Sequence, residues 1–285
     1  MKPMPALQEV ETCFGHKMHV DPTDYIGQTI IREGAFDRPG LVFMTGLMDR
    51  MRARQVLDIG GNIGNHALVF SRHAQRVWTF EPNPAAWRIM EKNIEINEVS
   101  NITLCRFGLS ESDVDADMYV NTSGNLGGST LRAESRAENH AYHTTTVPLR
   151  RGDAWAEEQL DGPIDFVKLD IEGHEGAALT GLRETILKHR PVIIMEWNQI
   201  SDREGVCESA VFKEIAETYM VYGLYKASEK KYWRQKPMGA LRRLWAKLTR
   251  GKALTAMPLE EVRLYPGLNV RDLLLVPNEK NGLLS

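Results

Sequence analysis

The run VLDIGGNIGNH, Val56–His66, constrains this chain most: an apolar stretch of strand length breaks into a glycine-rich turn and passes straight into a stretch of helix length. Glycines at such a turn let the backbone approach a ligand closely, and the helix that follows offers unpaired N–H groups and the positive end of its dipole. A dinucleotide fingerprint would need Gly where Ile59 stands, and a phosphate loop would need Lys after its second Gly, so neither motif is met. What stands instead is D-x-G-x-N-x-G (Asp58, Gly60, Asn62, Gly64), with Gly61 inside it and an acid, Glu81, ending the next apolar run. In a βαβ unit that acid stands where ribose hydroxyls are gripped.

From residue 55 onward short β-rich runs alternate with helix-length amphipathic stretches, which predicts an α/β fold with a mostly parallel sheet. The expected strands are Gln55–Ile59, Arg76–Phe80, Ile102–Phe107, Asp165–Leu169, Val192–Trp197, Met220–Tyr225 and Asp272–Val276, seven in all with the last two adjacent. Helices are expected at Gly64–His73, Pro84–Asn97, within Glu175–His189 and at Glu208–Thr218, and a hairpin should pair Ala116–Asn121 with Thr144–Leu149. The chain reads as a single domain. Residues 1–52 form an N-terminal cap, 53–227 a cofactor-binding core, 228–269 a basic insertion, and 270–285 the closing strand and tail.

Composition excludes little beyond the extremes. At 42% hydrophobic and 26% charged, the 285 residues can bury a core, which rules out a disordered or fibrous chain. No apolar run approaches the roughly 18 residues of a bilayer-spanning helix, and the first residues lack a signal-peptide pattern, so a cytoplasmic protein is expected. Cys13, Cys105 and Cys207 lie far apart without CxxC spacing and read as inert thiols. Charge is uneven: Lys226–Lys252 holds ten Lys/Arg against Glu229 alone, so the segment is +9 and the remainder −12. Within it Leu241, Leu244, Trp245 and Leu248 fall at i, i+3, i+4 and i+7, the pattern of a basic amphipathic helix. Two readings stay open, docking on an anionic membrane face or glycolipid and packing against its own domain.

Three motifs in this order, VLDIGGNIGNH, FEPNP (Phe80–Pro84) and DFVKLDIEGHE (Asp165–Glu175), resemble the FkbM-type S-adenosylmethionine-dependent methyltransferases, over roughly residues 53–198. The closing NVRDLLLVP is similar to that family's last strand, and Gly61 stands where the family commonly has Ala, a change expected to matter little in a turn. The resemblance implies a class I methyltransferase (Rossmann-like) fold, the methionine part of the cofactor at Gly60–Gly64, the ribose on Glu81 and the adenosine beside Asn83. It also implies methyl transfer to hydroxyls of sugars, glycan or glycolipid precursors, or natural products.

A hydroxyl acceptor needs its proton removed, and carboxylates at the C-terminal tips of the sheet are placed for that work. Asp170 is the expected central acid, as base or as ligand of a divalent ion. His174, whose intrinsic pKa suits proton transfer near neutrality, is the alternative base, and Glu172 lies between them. Glu175 at a helix start is explained by the helix dipole alone. Asp170 and Glu196, with Asn198 near, form an oxygen set suited to Mg²⁺. The polar loop Asn121–Leu131 is expected to close over the acceptor through Asn125 and Ser129, with Glu196 and Asn198 also facing it. Nucleic-acid methylation guided by the basic segment is a second reading, weakened because Asp170 is followed by Ile-Glu-Gly rather than by an N/D-P-P-Y strand end. A non-catalytic cofactor-binding or membrane-docking scaffold is a third.

Overall fold

The computed structural model describes residues 6–197, 203–225, 259–263 and 268–284. Asn198 and the basic helix expected within 228–252 lie outside them. The N-terminal residues form a hairpin, β1 (Gln8–Glu11) and β2 (Lys17–Val20), then helices α1 (Tyr25–Glu33) and α2 (Arg38–Met51). The core begins with β3 (Gln55–Ile59), α3 (Asn65–Phe70), β4 (Arg76–Phe80), α4 (Pro84–Ile96) and β5 (Ile102–Cys105). A small sheet of β6 (Gly108–Ser110), β7 (Val114–Asn121) and β8 (Tyr142–Arg151) comes next, followed by α5 (Gly152–Gln159). The second half carries β9 (Ile164–Leu169), α6 (Glu175–Gly181), α7 (Arg183–His189), β10 (Val192–Glu196), α8 (Arg203–Glu208) and α9 (Ala210–Thr218), then β11 (Tyr219–Leu224), β12 (Leu259–Glu261) and β13 (Asp272–Pro277).

The main sheet runs β12, β11, β13, β10, β9, β3, β4, β5. Strands β5, β4, β3, β9 and β10 are parallel, and β13 inserts antiparallel between β10 and β11. This is the class I methyltransferase arrangement. The chain winds outward from β3 to β5 and then returns to lay β9 on the other side of β3. A crevice therefore opens at the carboxyl ends of β3 and β9, the switch point where open α/β sheets take their ligands.

Strand periodicity divides the core into two layers. Leu57, Ile59, Val167, Leu169, Ile193 and Met195 point into one cluster with Trp155, Leu179, Ile186 and Phe212, whereas Val56, Phe166, Val192 and Ile194 point into the other with Leu41, Met44, Met48 and Phe70. Helices thus cover both faces, and central strands buried on both sides explain why they read as unbroken apolar runs.

Three expectations are corrected. The sheet has eight strands, because the short β12 adds an antiparallel edge beside β11. Strand β7 starts at Val114, so the hairpin slides by two residues and Ala116–Asn121 faces Tyr142–Val147. Helix α5, not among the expected elements, supplies Trp155, whose ring meets Trp78 and Phe80 edge-on at 5.2 and 4.8 Å. No helix among the described residues is long and apolar enough to cross a membrane.

Candidate active site

The β3–α3 turn is built on positive φ: Gly60 and Gly64 at +89° and Asn62 at +49°. A Cβ on Gly60 would sit 1.9 Å from the Asp170 carbonyl oxygen, so glycine is required there on two grounds, conformation and the closeness of β9. Gly61 is closed as well: a Cβ would lie 2.0 Å from Thr79 Oγ1 and 2.8 Å from Met90 Cε, which corrects the expectation that Ala changes little in this chain. Beside the turn opens a cavity of about 680 Å³, lined by Gly60, Gly61 and Asn62, by Glu81 and Asn83, and by Asp170, Glu172, His174 and Glu196. Residues 25–39 of the N-terminal segment close one wall and Asn125–Ser129 another. Pockets for ligands of cofactor size run from about 300 to 1,000 Å³.

Glu81 hooks the two βα turns together. Its Oε2 accepts from the Asn62 N–H and its Oε1 from the Asn83 N–H, each at 2.8 Å. Burial outweighs these two bonds and pushes the carboxyl up to about 7. Each oxygen keeps one lone pair for a donor from the cavity, the chemistry a pair of ribose hydroxyls needs. Asn83 lines the cavity while its Oδ1 caps α4 by accepting from the Ala85 N–H at 3.0 Å. Asp58 and Gly64 do not reach the cavity. Asp58 is fully buried, with Oδ2 accepting from Thr79 Oγ1 at 3.2 Å and Oδ1 3.4 Å from Lys168 Nζ; Gly64 packs against Met90.

Across the cavity, carboxylate oxygens of Asp170, Glu172 and Glu196 lie within 4.8 Å of one another. Glu172 holds φ +53° and its carbonyl accepts from Thr130 Oγ1 at 2.7 Å, which ties this tip to the loop after β7. Backbone in that region is costly for a residue with a Cβ and is tolerated where surrounding contacts enforce it. Burial, with Asp170 and Glu175 adding repulsion, pushes Glu172 up to about 8. Burial and then Asp170 push Glu196 well above the carboxylate range. Glu175 is wholly buried and accepts from the Ile171 and Gly173 N–H groups, so it shapes the turn rather than facing the cavity. His174 Nε2 lies 3.1 Å from Ser110 Oγ, and burial, then Arg132, lowers its pKa and keeps the ring neutral.

In the loop, Ser129 is already committed. Its hydroxyl donates to the Leu126 carbonyl at 2.7 Å and accepts from the Asn121 N–H at 3.1 Å, which leaves Asn125 as the side chain better placed for an acceptor. Asp24 fastens the loop to the cap, its Oδ1 accepting from the Ile26 N–H at 3.0 Å and its Oδ2 from the Leu126 N–H at 2.6 Å.

Two cations that the sequence does not mark as site residues, Lys168 and Arg271, also line the cavity. Lys168 is 4% exposed, and its Nζ donates to the Gly60 carbonyl at 3.0 Å while lying 3.4 Å from Asp58 Oδ1 and 3.5 Å from Asp170 Oδ2. Arg271 pairs with Asp37 and, at 3.1 Å, with Asp272, which stands opposite Glu196 in the β10–β13 register. The available signal was a lysine in the middle of the apolar run DFVKLD, since a charge there must find a partner.

Residues 58–227 match the methyltransferase FkbM domain. Three curated relatives are similar. "Methyltransferase 1" of Beauveria bassiana is 30% identical over 146 residues, 45% of this chain and 57% of the relative. "Hexuronic acid methyltransferase AglP" of Haloferax volcanii is 30% identical over 137 residues, 48% and 53% of the two chains. "2-O-methyltransferase NoeI" of Sinorhizobium fredii is 25% identical over 161 residues, 52% and 64%. The chain therefore spans 53–64% of the length of these relatives. With the matched segment covering more than half of the chain, from the β3 turn through β11, the protein belongs to the FkbM methyltransferase family.

Proposed function

We propose that the protein is an S-adenosylmethionine-dependent O-methyltransferase acting on a hydroxyl of a sugar, a glycan or glycolipid precursor, or a natural product. The observation that carries the reading is Glu81: a buried carboxylate that joins the glycine turn to the β4 tip and keeps acceptor capacity toward a cavity of cofactor size. The names of two relatives, a hexuronic acid methyltransferase and a 2-O-methyltransferase, favour a sugar hydroxyl.

When bound, the cofactor supplies a methyl group already activated on a sulfonium. The protein's work is then alignment and proton handling. Gly60–Asn62 hold the methionine part and Glu81 the ribose. Asp170 takes the proton of the acceptor hydroxyl, and Glu172, pushed up to about 8, lets the cluster pass that proton on near neutral pH. His174, neutral and held by Ser110, is the second base candidate. Asn125 orients the acceptor. The basic segment, outside the described residues, is the proposed docking element for an anionic membrane face or glycolipid.

Calorimetric titration with S-adenosylmethionine and S-adenosylhomocysteine tests the cofactor site. Micromolar binding is expected in the wild type, with Glu81→Ala weakening it at least 100-fold; equal affinity in the variant would remove Glu81 from the site. Asp170, Glu172 and Glu196 also offer oxygens that could hold Mg²⁺. We read the cluster as proton-handling, with Lys168 as its cation, so EDTA should leave methylation of a uronic-acid or hexose acceptor within twofold. A several-fold rise on adding Mg²⁺ would reassign the cluster to a metal.

A further inference from the structure

The Lys168 ammonium touches both halves of the site. It is bonded to the carbonyl of Gly60, in the turn assigned to the cofactor, and lies against the carboxylate of Asp170, in the cluster assigned to the acceptor. Asp58 fixes it from behind, at 3.4 Å and with no exposure of its own. The side chain therefore has one place to be, set by three partners from two neighbouring strands and the turn between them. Burial alone would drive a lysine toward its neutral form; here Asp170 and Asp58 overcome it and hold the pKa above the ordinary value, so the charge is permanent.

A permanent positive charge at this point has an electrostatic consequence. Methyl transfer from a sulfonium to a hydroxyl destroys a positive charge on the donor. Those carboxylates of the cluster that are ionised bind the donor's cationic form more tightly than its neutral product, and binding energy given to the ground state slows the reaction. An ammonium among them offsets that attraction. The offset acts at short range, the ammonium lying 3.5 Å from Asp170, and Lys168 itself is buried, which limits its screening by solvent.

We propose that Lys168 is a positioning residue that sets the charge balance at the methyl-transfer point: it pins the Gly60 carbonyl and the Asp170 carboxylate to one ammonium and so keeps the acidic cluster from over-binding the cationic cofactor. The inference rests on the proposed cofactor reading.

The readout is the ratio of dissociation constants for S-adenosylhomocysteine and S-adenosylmethionine, measured by calorimetry at pH 8.5 on the full chain. These two ligands differ by one methyl and one positive charge, so a merely loosened turn weakens both alike and leaves the ratio unchanged. Lys168→Met should shift the ratio at least fivefold in favour of S-adenosylmethionine even as both bind more weakly, and Lys168→Arg should keep it within twofold of the wild type. Asp170→Asn, a change at a partly exposed side chain that the fold should tolerate, should move the ratio at least threefold the other way; it decides the matter if Lys168→Met does not fold. A ratio unchanged in Lys168→Met, or in Asp170→Asn, overturns the role of Lys168 while leaving the cofactor reading intact. Binding of neither ligand to the wild type overturns both.

Discussion

Gly60→Ala is expected to lower stability by about 2–5 kcal/mol and to weaken cofactor binding at least 100-fold. Two effects add: an L residue at φ +89° costs about 1–2 kcal/mol, and forcing a methyl group into closed packing costs roughly 1–3 kcal/mol. The second effect has no easy relief, because the obstructing atom is the backbone oxygen of Asp170 at 1.9 Å. Moving it displaces the end of β9 and with it the acidic cluster. Gly64→Ala is the control. Its φ is the same, but the nearest atom is the side-chain Met90 Cγ at 2.8 Å rather than a backbone oxygen at 1.9 Å, a milder obstruction. Thermal denaturation of both variants decides the point, and a Gly60→Ala loss no larger than that of Gly64→Ala would refute the packing account.

The ligand-free protein should lose stability as pH rises from about 6.5 to 8.5. Glu81, Glu175 and Asp272 are pushed up to about 7 and Glu172 to about 8, by burial first in every case. An acid whose folded pKa is raised binds its proton more tightly in the native state, so its contribution is complete below the unfolded value and is lost as pH climbs through the folded one. His16, lowered to about 4 by burial, and His66 and His174, also lowered, act in the opposite sense but only below about 6.5, where unfolded imidazoles take up protons. Above that pH the acids act alone. Their combined loss is on the order of 2–4 kcal/mol, or roughly 5–10 °C in melting temperature. Glu172→Gln, which keeps the shape and removes the titration, should flatten much of the slope. A melting temperature flat between pH 6.5 and 8.5 in the wild type would mean that these carboxyls are better solvated than their burial implies.

What could be read from the sequence was what is local in it. Gly60, Asn62 and Glu81 announce themselves through turn chemistry and the end of an apolar run, and Asp170 through its place at a strand tip. Lys168 was not legible as a site residue, because two of its three partners, Gly60 and Asp58, come from a different strand and its turn more than a hundred positions away. Asp58 sits in the motif yet faces Lys168 and Thr79 rather than the cavity, a distinction that only the register between β3 and β9 makes. Ser129 looked like a free hydroxyl in a polar loop until that loop folded back and used it. Trp155 was passed over because helix α5 has a weak apolar pattern, its main contact being one large ring against Trp78 and Phe80.

Asp24 carries one more consequence. With one oxygen on the start of α1 and the other on Leu126, it makes two walls of the cavity a single linked piece, although 102 positions separate it from Leu126 in the chain. On the proposed function, acceptor preference is then expected to be shared by the two segments. A chimera that borrows residues 121–131 from a relative inherits half of a clasp. An exchange of acceptor specificity in this chain is, on the proposed function, expected to need the stretch around Asp24 moved together with the loop.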